Sequence, residues 1–268
     1  MKSKILKSIV GKDFLNSPFR YPGHQIYALD ILLPLVPEHH IFVEPFCGGA
    51  SEFFAKEKAE ENWLNDIDNE LIETYRIIRD KPEELIAFLK EEESSQERHD
   101  YFRTEFIPQC SFDIATRWFY LNRTSCLETM SRFWRYDDKT SLKFLDWDKR
   151  ILECSKKLQG VKLTFGDFEK VINGAPEGAF LYITPPYSIH HSSNQNRLHK
   201  FPFEKESHLR LKDALKRNNN KIKFILTYND NEELREMYSW DGLVVFNLPN
   251  APPQKGEIAI MNYQNKLK

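Results

Sequence analysis

The chain has 268 residues, with 38 Lys and Arg set against 40 Asp and Glu, a formal charge of −2, 41% apolar and 29% charged residues. These values suit a water-soluble folded domain with a sizeable core and exclude a collagenous or disordered chain. No apolar run approaches the ~18 residues of a membrane span, lysines break the opening "MKSKILKSIV" so that no secretory leader is expected, and Cys47, Cys110, Cys126 and Cys154 lack the spacing of a disulfide framework or zinc site. The pairs His39-His40 and His190-His191 read as solvated loop residues, so no metal is expected.

In chain order, "IFVEPF" (41–46) reads as a short strand stopped by "CGGAS", and "EFFAKEKAEE" as the helix that follows. "NWLNDI" (62–67) reads as a second strand, and "NELIETYRIIRD" as a helix with Leu71, Tyr75 and Ile78 on one face. From about 80 to 158 strand signals vanish: "KPEELIAFLKEE", "SFDIATRWFYLNR" and "WDKRILECSKKLQ" read as helices, with polar "ESSQERHD" and "RYDDKTSLKF" as spacers. Strands resume with "VKLTFGD", "AFLYIT", "KIKFILTY", "LVVFNLP" and "EIAIMNY", and "EKESHLRLKDALKRN" forms a helix among them. Strands alternating with helices imply a mainly parallel sheet covered on both faces. The helical stretch is too long for a simple crossover, which suggests an α/β domain of residues 1–75 and 159–268 with a helical subdomain, 76–158, inserted into it.

Two segments carry excess positive charge: +4 over residues 1–20, and +3 over residues 117–150, where Arg117, Arg123, Arg132 and Arg135 interleave with Trp118, Phe119, Tyr120, Phe133, Trp134 and Tyr136. Phosphates pair with Arg and Lys while bases stack on aromatic faces. The second segment therefore fits nucleic acid; a solvated helical face accounts for it equally well.

The unusual motifs fall at the carboxyl ends of the strands, where ligands bind in open α/β sheets. In "EPFCGG" the glycines of a strand-to-helix turn let backbone amides approach a ligand, though a tight structural turn explains them equally well. The second strand ends in "NDID" about twenty residues on, where a carboxylate commonly holds ribose hydroxyls; Asp66 is the candidate, with Asp68 a possible N-cap. Neither a dinucleotide fingerprint nor a Walker loop is present. The third strand ends in "FGDF", placing Asp167 at the same rim. The fourth ends in "TPPY": Pro185 and Pro186 stop ladder donation and stiffen a loop that aims a carbonyl and the Tyr187 ring at a planar substrate.

This ordered set resembles the Dam-like DNA adenine methyltransferases, almost end to end. "FRYPGHQ" is similar to the family's Arg-Tyr-Pro-Gly-Gly-Lys element, "FVEPFCGGAS" to its cofactor loop, "NDID" to its ribose-binding acid and "FYLNRTS" to the start of its target-recognition region. "GDF" resembles its adenosine-binding acid, "TPPY" its catalytic Asp-Pro-Pro-Tyr, and "ILTYNDN" and "KGEIAIMNY" also fit. The resemblance implies a Rossmann-like methyltransferase fold with an inserted, mainly helical target-recognition domain, S-adenosyl-L-methionine as cofactor and double-stranded DNA as substrate. It implies a cofactor pocket of Tyr21, Pro22, Gly23, Glu44, Pro45, Phe46, Cys47, Gly48, Gly49, Asp66, Asp167 and Phe168, catalysis by Thr184, Pro185, Pro186 and Tyr187, and DNA contacts from Asn122, Arg123, Arg132 and Arg135. It further implies a bacterial or phage origin, a cytoplasmic location and a possible cognate restriction endonuclease.

Three departures stand out. Thr184 replaces the family's catalytic aspartate, exchanging a charged two-oxygen acceptor for one neutral hydroxyl. Loss of a comparable preorganised group lowers rate on the order of a hundredfold to a thousandfold, although related methyltransferases use asparagine or serine there. Gln25 and His24 replace a lysine and a glycine, and "CLETMSRFW" follows "LNRTS" where the family has Asn-Gly and an arginine-bearing turn. Three readings result: a site-specific adenine-N6 methyltransferase, with contacts altered or activity reduced by Thr184; a catalytically silent methyltransferase-like DNA-binding protein; or the same enzyme acting on a cytosine amino nitrogen or on RNA, which the motif order favours least.

Overall fold

The computed structural model describes residues 15–21, 28–125, 134, 147–186, 201, 203–248 and 256–264. Seven strands form one sheet: β1 (Ile41–Glu44), β2 (Glu61–Asp66), β3 (Lys162–Phe165), β4 (Phe180–Ile183), β5 (Lys223–Asn229), β6 (Val244–Leu248) and β7 (Glu257–Met261). Their order is β3-β2-β1-β4-β5-β7-β6. Pairing is parallel from β3 through β5, while β7 runs antiparallel to both β5 and β6. The chain winds outward from β1 to β3, then returns to lay β4 on the other side of β1. The β1–β4 boundary is therefore the topological switch point, where the connections diverge and leave a crevice above the strand tips.

Alternation along the strands divides the core in two. Phe42, Leu64, Phe180, Tyr182, Ile225, Ala259 and Met261 belong to one cluster, and Val43, Leu181, Ile183, Phe224, Leu226, Tyr228, Ile258 and Ile260 to the other. The second face is covered by Phe168, Val171 and Ile172 of α8 (Phe168–Gly174) and by Leu211, Ala214 and Leu215 of α9 (Lys205–Arg217). A short α10 (Glu232–Met237) adds buried Leu234.

The cluster on the first face also takes in residues of α1 (Leu29–Leu32), α2 (Ser51–Ala55) and the helices of the long β2-to-β3 excursion: α3 (Asn69–Asp80), α4 (Pro82–Lys90), α5 (Gln96–Thr104), α6 (Ser111–Thr124) and α7 (Trp147–Leu158). Leu71, Tyr75 and Ile78 of α3 lie buried on one face, as their spacing predicts, against Trp118 and Phe119 of α6 and Ile151 of α7. Within the described residues, the helical stretch and the sheet thus share one continuous hydrophobic cluster. Burying side chains of this size stabilises by about 1.5–3 kcal/mol each.

Two local expectations change. The helix expected over 52–61 is only Ser51–Ala55, because the side chain of Lys157 takes up the Phe54 and Lys56 carbonyls and Lys56 turns extended. The polar stretch read as a spacer holds α5 instead: Ser95 caps it by accepting from the Arg98 amide at 3.2 Å, and His99 and Phe102 face inward.

Candidate active site

The crevice is built by main-chain knots between strand tips. After β1 the Cys47 amide donates to the Asn65 carbonyl at 2.8 Å. The buried Asn65 side chain donates to the carbonyls of Pro45 and Gly166, both at 3.0 Å, and accepts from Thr164 Oγ1 at 2.8 Å. Gly166 N–H in turn reaches the Asp66 carbonyl at 2.9 Å. One asparagine side chain therefore fixes the tips of β1, β2 and β3 relative to one another. Sequence reading quoted it within "NDID" and passed it over; a polar residue at the inner end of an apolar strand was the available hint.

The turn after β1 requires its first glycine twice over. Gly48 has φ +45°, and a Cβ there would sit 2.8 Å from Cδ1 and Cε1 of Tyr21. Its amide donates to Asp66 Oδ2 at 2.9 Å, and its carbonyl accepts from the Tyr75 hydroxyl at 2.9 Å. Ala50 continues the turn in the left-handed region, a strained place for a residue with a Cβ. Asp66 Oδ1 accepts from the Asp68 amide at 3.0 Å, and Asp68 caps α3 through the Glu70 amide. Burial pushes the Asp66 carboxyl up to about 6, against the lowering effect of the Asp68 and Gly48 amides. Burial, reinforced by Asp66, also raises the Tyr21 phenol, which stays protonated. Cys47 is buried and its thiol is raised by burial, which makes it a packing residue. Glu44 accepts from the Phe53 amide at 3.0 Å, and burial followed by repulsion from Glu52 raises its carboxyl.

At the β3 tip Asp167 caps α8, its Oδ1 accepting from the Glu169 amide at 2.9 Å and from Arg210 Nη2 at 2.7 Å. Phe168 stacks on Phe46 with centroids 5.0 Å apart, and Phe203 joins both rings. Two large apolar side chains stay open at this rim: Ile67, 49% exposed, follows Asp66, and Phe165, 56% exposed, pairs with Asp66 across β2 and β3. Neither was singled out from the sequence, since each gains meaning only from the strand register.

Across the switch point, Thr184 follows β4 and its Oγ1 donates to the Phe46 carbonyl at 3.4 Å. Thr184 is half-buried, Pro185 buried and Pro186 half-buried. The structure thus brings Tyr21, Phe46, Gly48, Asp66, Asp167 and Thr184 to one end of the sheet. Pro22, Gly23, His24, Gln25, Arg132, Arg135 and Tyr187 lie outside the described residues.

Asn122 and Arg123, expected at DNA, are buried near the end of α6. Asn122 clasps the Arg20 backbone, accepting from its amide at 3.1 Å and donating to its carbonyl at 2.6 Å. The Arg20 guanidinium donates back to the carbonyls of Asn122, Arg123 and Ser125. This clasp anchors the segment that carries Tyr21 over the Gly48 turn. Among the described residues no group of three or more His, Cys, Asp or Glu is placed to hold a metal, and no helix is long and apolar enough to cross a membrane.

A family model described as D12 class N6 adenine-specific DNA methyltransferase matches residues 21–250. The chain is 29% identical over 255 residues to the Type II methyltransferase M1.LlaDCHI of Lactococcus lactis subsp. cremoris, covering 85% of this chain and 87% of that relative. It is 27% identical over 252 residues to the DNA N-6-adenine-methyltransferase of Escherichia phage P1, covering 87% of this chain and 32% of that longer protein. A third relative, the Type II methyltransferase M.CviBI of Paramecium bursaria Chlorella virus NC1A, is 25% identical over 219 residues, or 76% of this chain and 77% of its own.

Proposed function

The chain belongs to the D12 class N6 adenine-specific DNA methyltransferase family, and we propose that it transfers methyl from S-adenosyl-L-methionine to a flipped adenine at the β1–β4 crevice, with Thr184 as the acceptor for the adenine amino group. The observation that carries this reading is the Thr184 hydroxyl bond to the Phe46 carbonyl. A hydroxyl is both donor and acceptor. With its hydrogen turned toward that carbonyl, a long contact at 3.4 Å, the hydroxyl has its lone pairs left to face the substrate. A neutral side chain thereby takes over the accepting half of the missing aspartate's work, without its charge.

The side chains at this end of the sheet support the reading of an adenosyl site. Asp66 has about four lone-pair positions, of which two face the Gly48 and Asp68 amides, leaving capacity for ribose hydroxyls. Ile67 and Phe165 offer apolar contact to a purine, and Asp167 an acceptor for its amino group. The cofactor supplies an electrophilic methyl on a sulfonium. The protein's part is to hold the adenine nitrogen in line with it and to draw its lone pair forward. The amino group is unreachable in the base stack, so the base must leave the duplex. Tyr187 then stacks on it, and the Pro185 carbonyl shares its amino hydrogens with Thr184.

For DNA, we assign phosphate contacts to Arg132 and Arg135 in the basic, aromatic segment 117–150, with residues 76–158 as the target-recognition region. Buried Asn122 and Arg123 are given a holding role, keeping the end of α6 and the Arg20–Tyr21 segment in fixed relation. The reaction requires no metal on this reading, and its setting is the cytoplasm of a bacterium or an infected host. The relatives named Type II methyltransferases support a cognate restriction endonuclease as partner.

The test is transfer of labelled methyl to duplex DNA by the wild-type chain and by Thr184→Asp. Measurable wild-type transfer supports the reading. Undetectable transfer restored by aspartate would establish instead the silent, DNA-binding form that Thr184, Gln25 and His24 favour.

A further inference from the structure

Asp167 and its surroundings hold a feature that the transfer reaction leaves unexplained. Arg210 projects from α9, whose neighbouring Leu211 is fully buried in the second core, so the base of the arginine is fixed. Its guanidinium lies 5.1 Å from the Phe168 ring centroid. Nη2 donates to Asp167 Oδ1 at 2.7 Å, and Nε donates to Glu169 Oε2 at 3.0 Å. The other oxygen of Glu169 is taken by Arg217 at 2.7 Å. Oδ1 of Asp167 is thus held from two sides, by Arg210 and by the Glu169 amide at 2.9 Å. Oδ2 has no partner among the described residues.

We infer that Arg210 is a positioning residue for cofactor recognition: it locks the Asp167 carboxylate so that Oδ2 alone is presented to the 6-amino group of the cofactor's purine. The inference rests on the reading of Asp167 as that group's acceptor. A carboxylate capping a short helix can otherwise rotate and offer either oxygen. A planar guanidinium stacked on a ring and shared between two carboxylates holds it better than a lysine would. As a stabiliser the pair counts for little, because Arg210 and Asp167 are 39% and 34% exposed. Its effect is on selectivity between purines that carry an amino group at position 6 and those that carry a carbonyl there.

The experiment compares dissociation constants of S-adenosylhomocysteine and S-inosylhomocysteine, which differ only at the position-6 edge, an amino group against a carbonyl with a hydrogen on the adjoining N1. Wild type should favour the adenosyl form by roughly tenfold to a hundredfold, the range of one charge-assisted hydrogen bond. Arg210→Met should cut this ratio by about fivefold or more, Arg210→Lys should restore part of it, and Arg217→Met should leave it as in wild type. Thermal unfolding should shift little in all three. A ratio unchanged in Arg210→Met while Asp167→Asn collapses it would overturn the inference, as would equal weakening of both ligands. If Asp167→Asn also leaves the ratio unchanged, the assignment of Asp167 itself falls, and this inference with it.

Discussion

Two aspartates stand at neighbouring strand tips, one held by main chain alone and the other by main chain and an arginine. Asp66, at the end of β2, is buried and gripped by backbone amides of Gly48 and Asp68. Asp167, after β3, is one-third exposed and is gripped by one backbone amide, that of Glu169, and by the side chain of Arg210. A carboxylate fixed by main chain is positioned by the fold itself, so disturbing it disturbs the β1 turn. One fixed by a side chain from α9 can be retuned without touching the sheet. Glycine and strain gather around the first; charge and selectivity gather around the second.

The largest break in this comparison should come at Gly48. Gly48→Ala places a Cβ against the Tyr21 ring in a left-handed backbone, and a few kcal/mol of lost stability is expected from strain and overpacking together, about 1–3 kcal/mol each. Calorimetry should show cofactor affinity falling beyond detection, and thermal unfolding should shift down. Adding Tyr21→Ala removes the clash and should recover part of the stability.

Asp66→Asn should follow. It keeps one oxygen for one of the two backbone amides and turns an NH2 donor toward the other, costing about 2 kcal/mol or more and weakening the cofactor at least tenfold in titration. The same residue sets a pH dependence. Because burial raises its carboxyl to about 6, the folded protein holds a proton that the unfolded chain gives up nearer 4. Ionisation therefore takes stability away as pH rises through that window. Cofactor affinity moves the other way: hydroxyl donors bind the ionised form better, so affinity should fall as pH drops below about 6, and Asp66→Asn should flatten that profile. No such flattening is expected from Arg210→Met, which should touch selectivity alone and is the smallest of these effects.

The contrast also explains what could be read beforehand. "EPFCGG", "NDID", "FGDF" and "TPPY" were legible because glycine, proline and acidic residues at strand ends are local punctuation. The helical length between β2 and β3 was legible too. Its packing into the sheet's own core was not, since it depends on tertiary contacts that join Trp118, Phe119 and Ile151 to the cluster of Phe42 and Leu64. Asn65 ties three tips only once the parallel register brings Pro45 and Gly166 within reach. Arg210 approaches Asp167 from a helix 43 residues later, a distance no local pattern bridges. Asn122, for which the resemblance implies a DNA contact, holds the backbone of Arg20, 102 residues away in the chain, and no local pattern shows that partner.

The central claim is that Thr184 accepts from the target amino group, its hydrogen held by the Phe46 carbonyl. Single-turnover methyl transfer at saturating cofactor and DNA, comparing wild type with Thr184→Val, tests it most directly. Valine keeps the shape and removes the acceptor, so the chemical step should slow on the order of a hundredfold with both dissociation constants nearly unchanged. Equal single-turnover rates for the two proteins would contradict the claim.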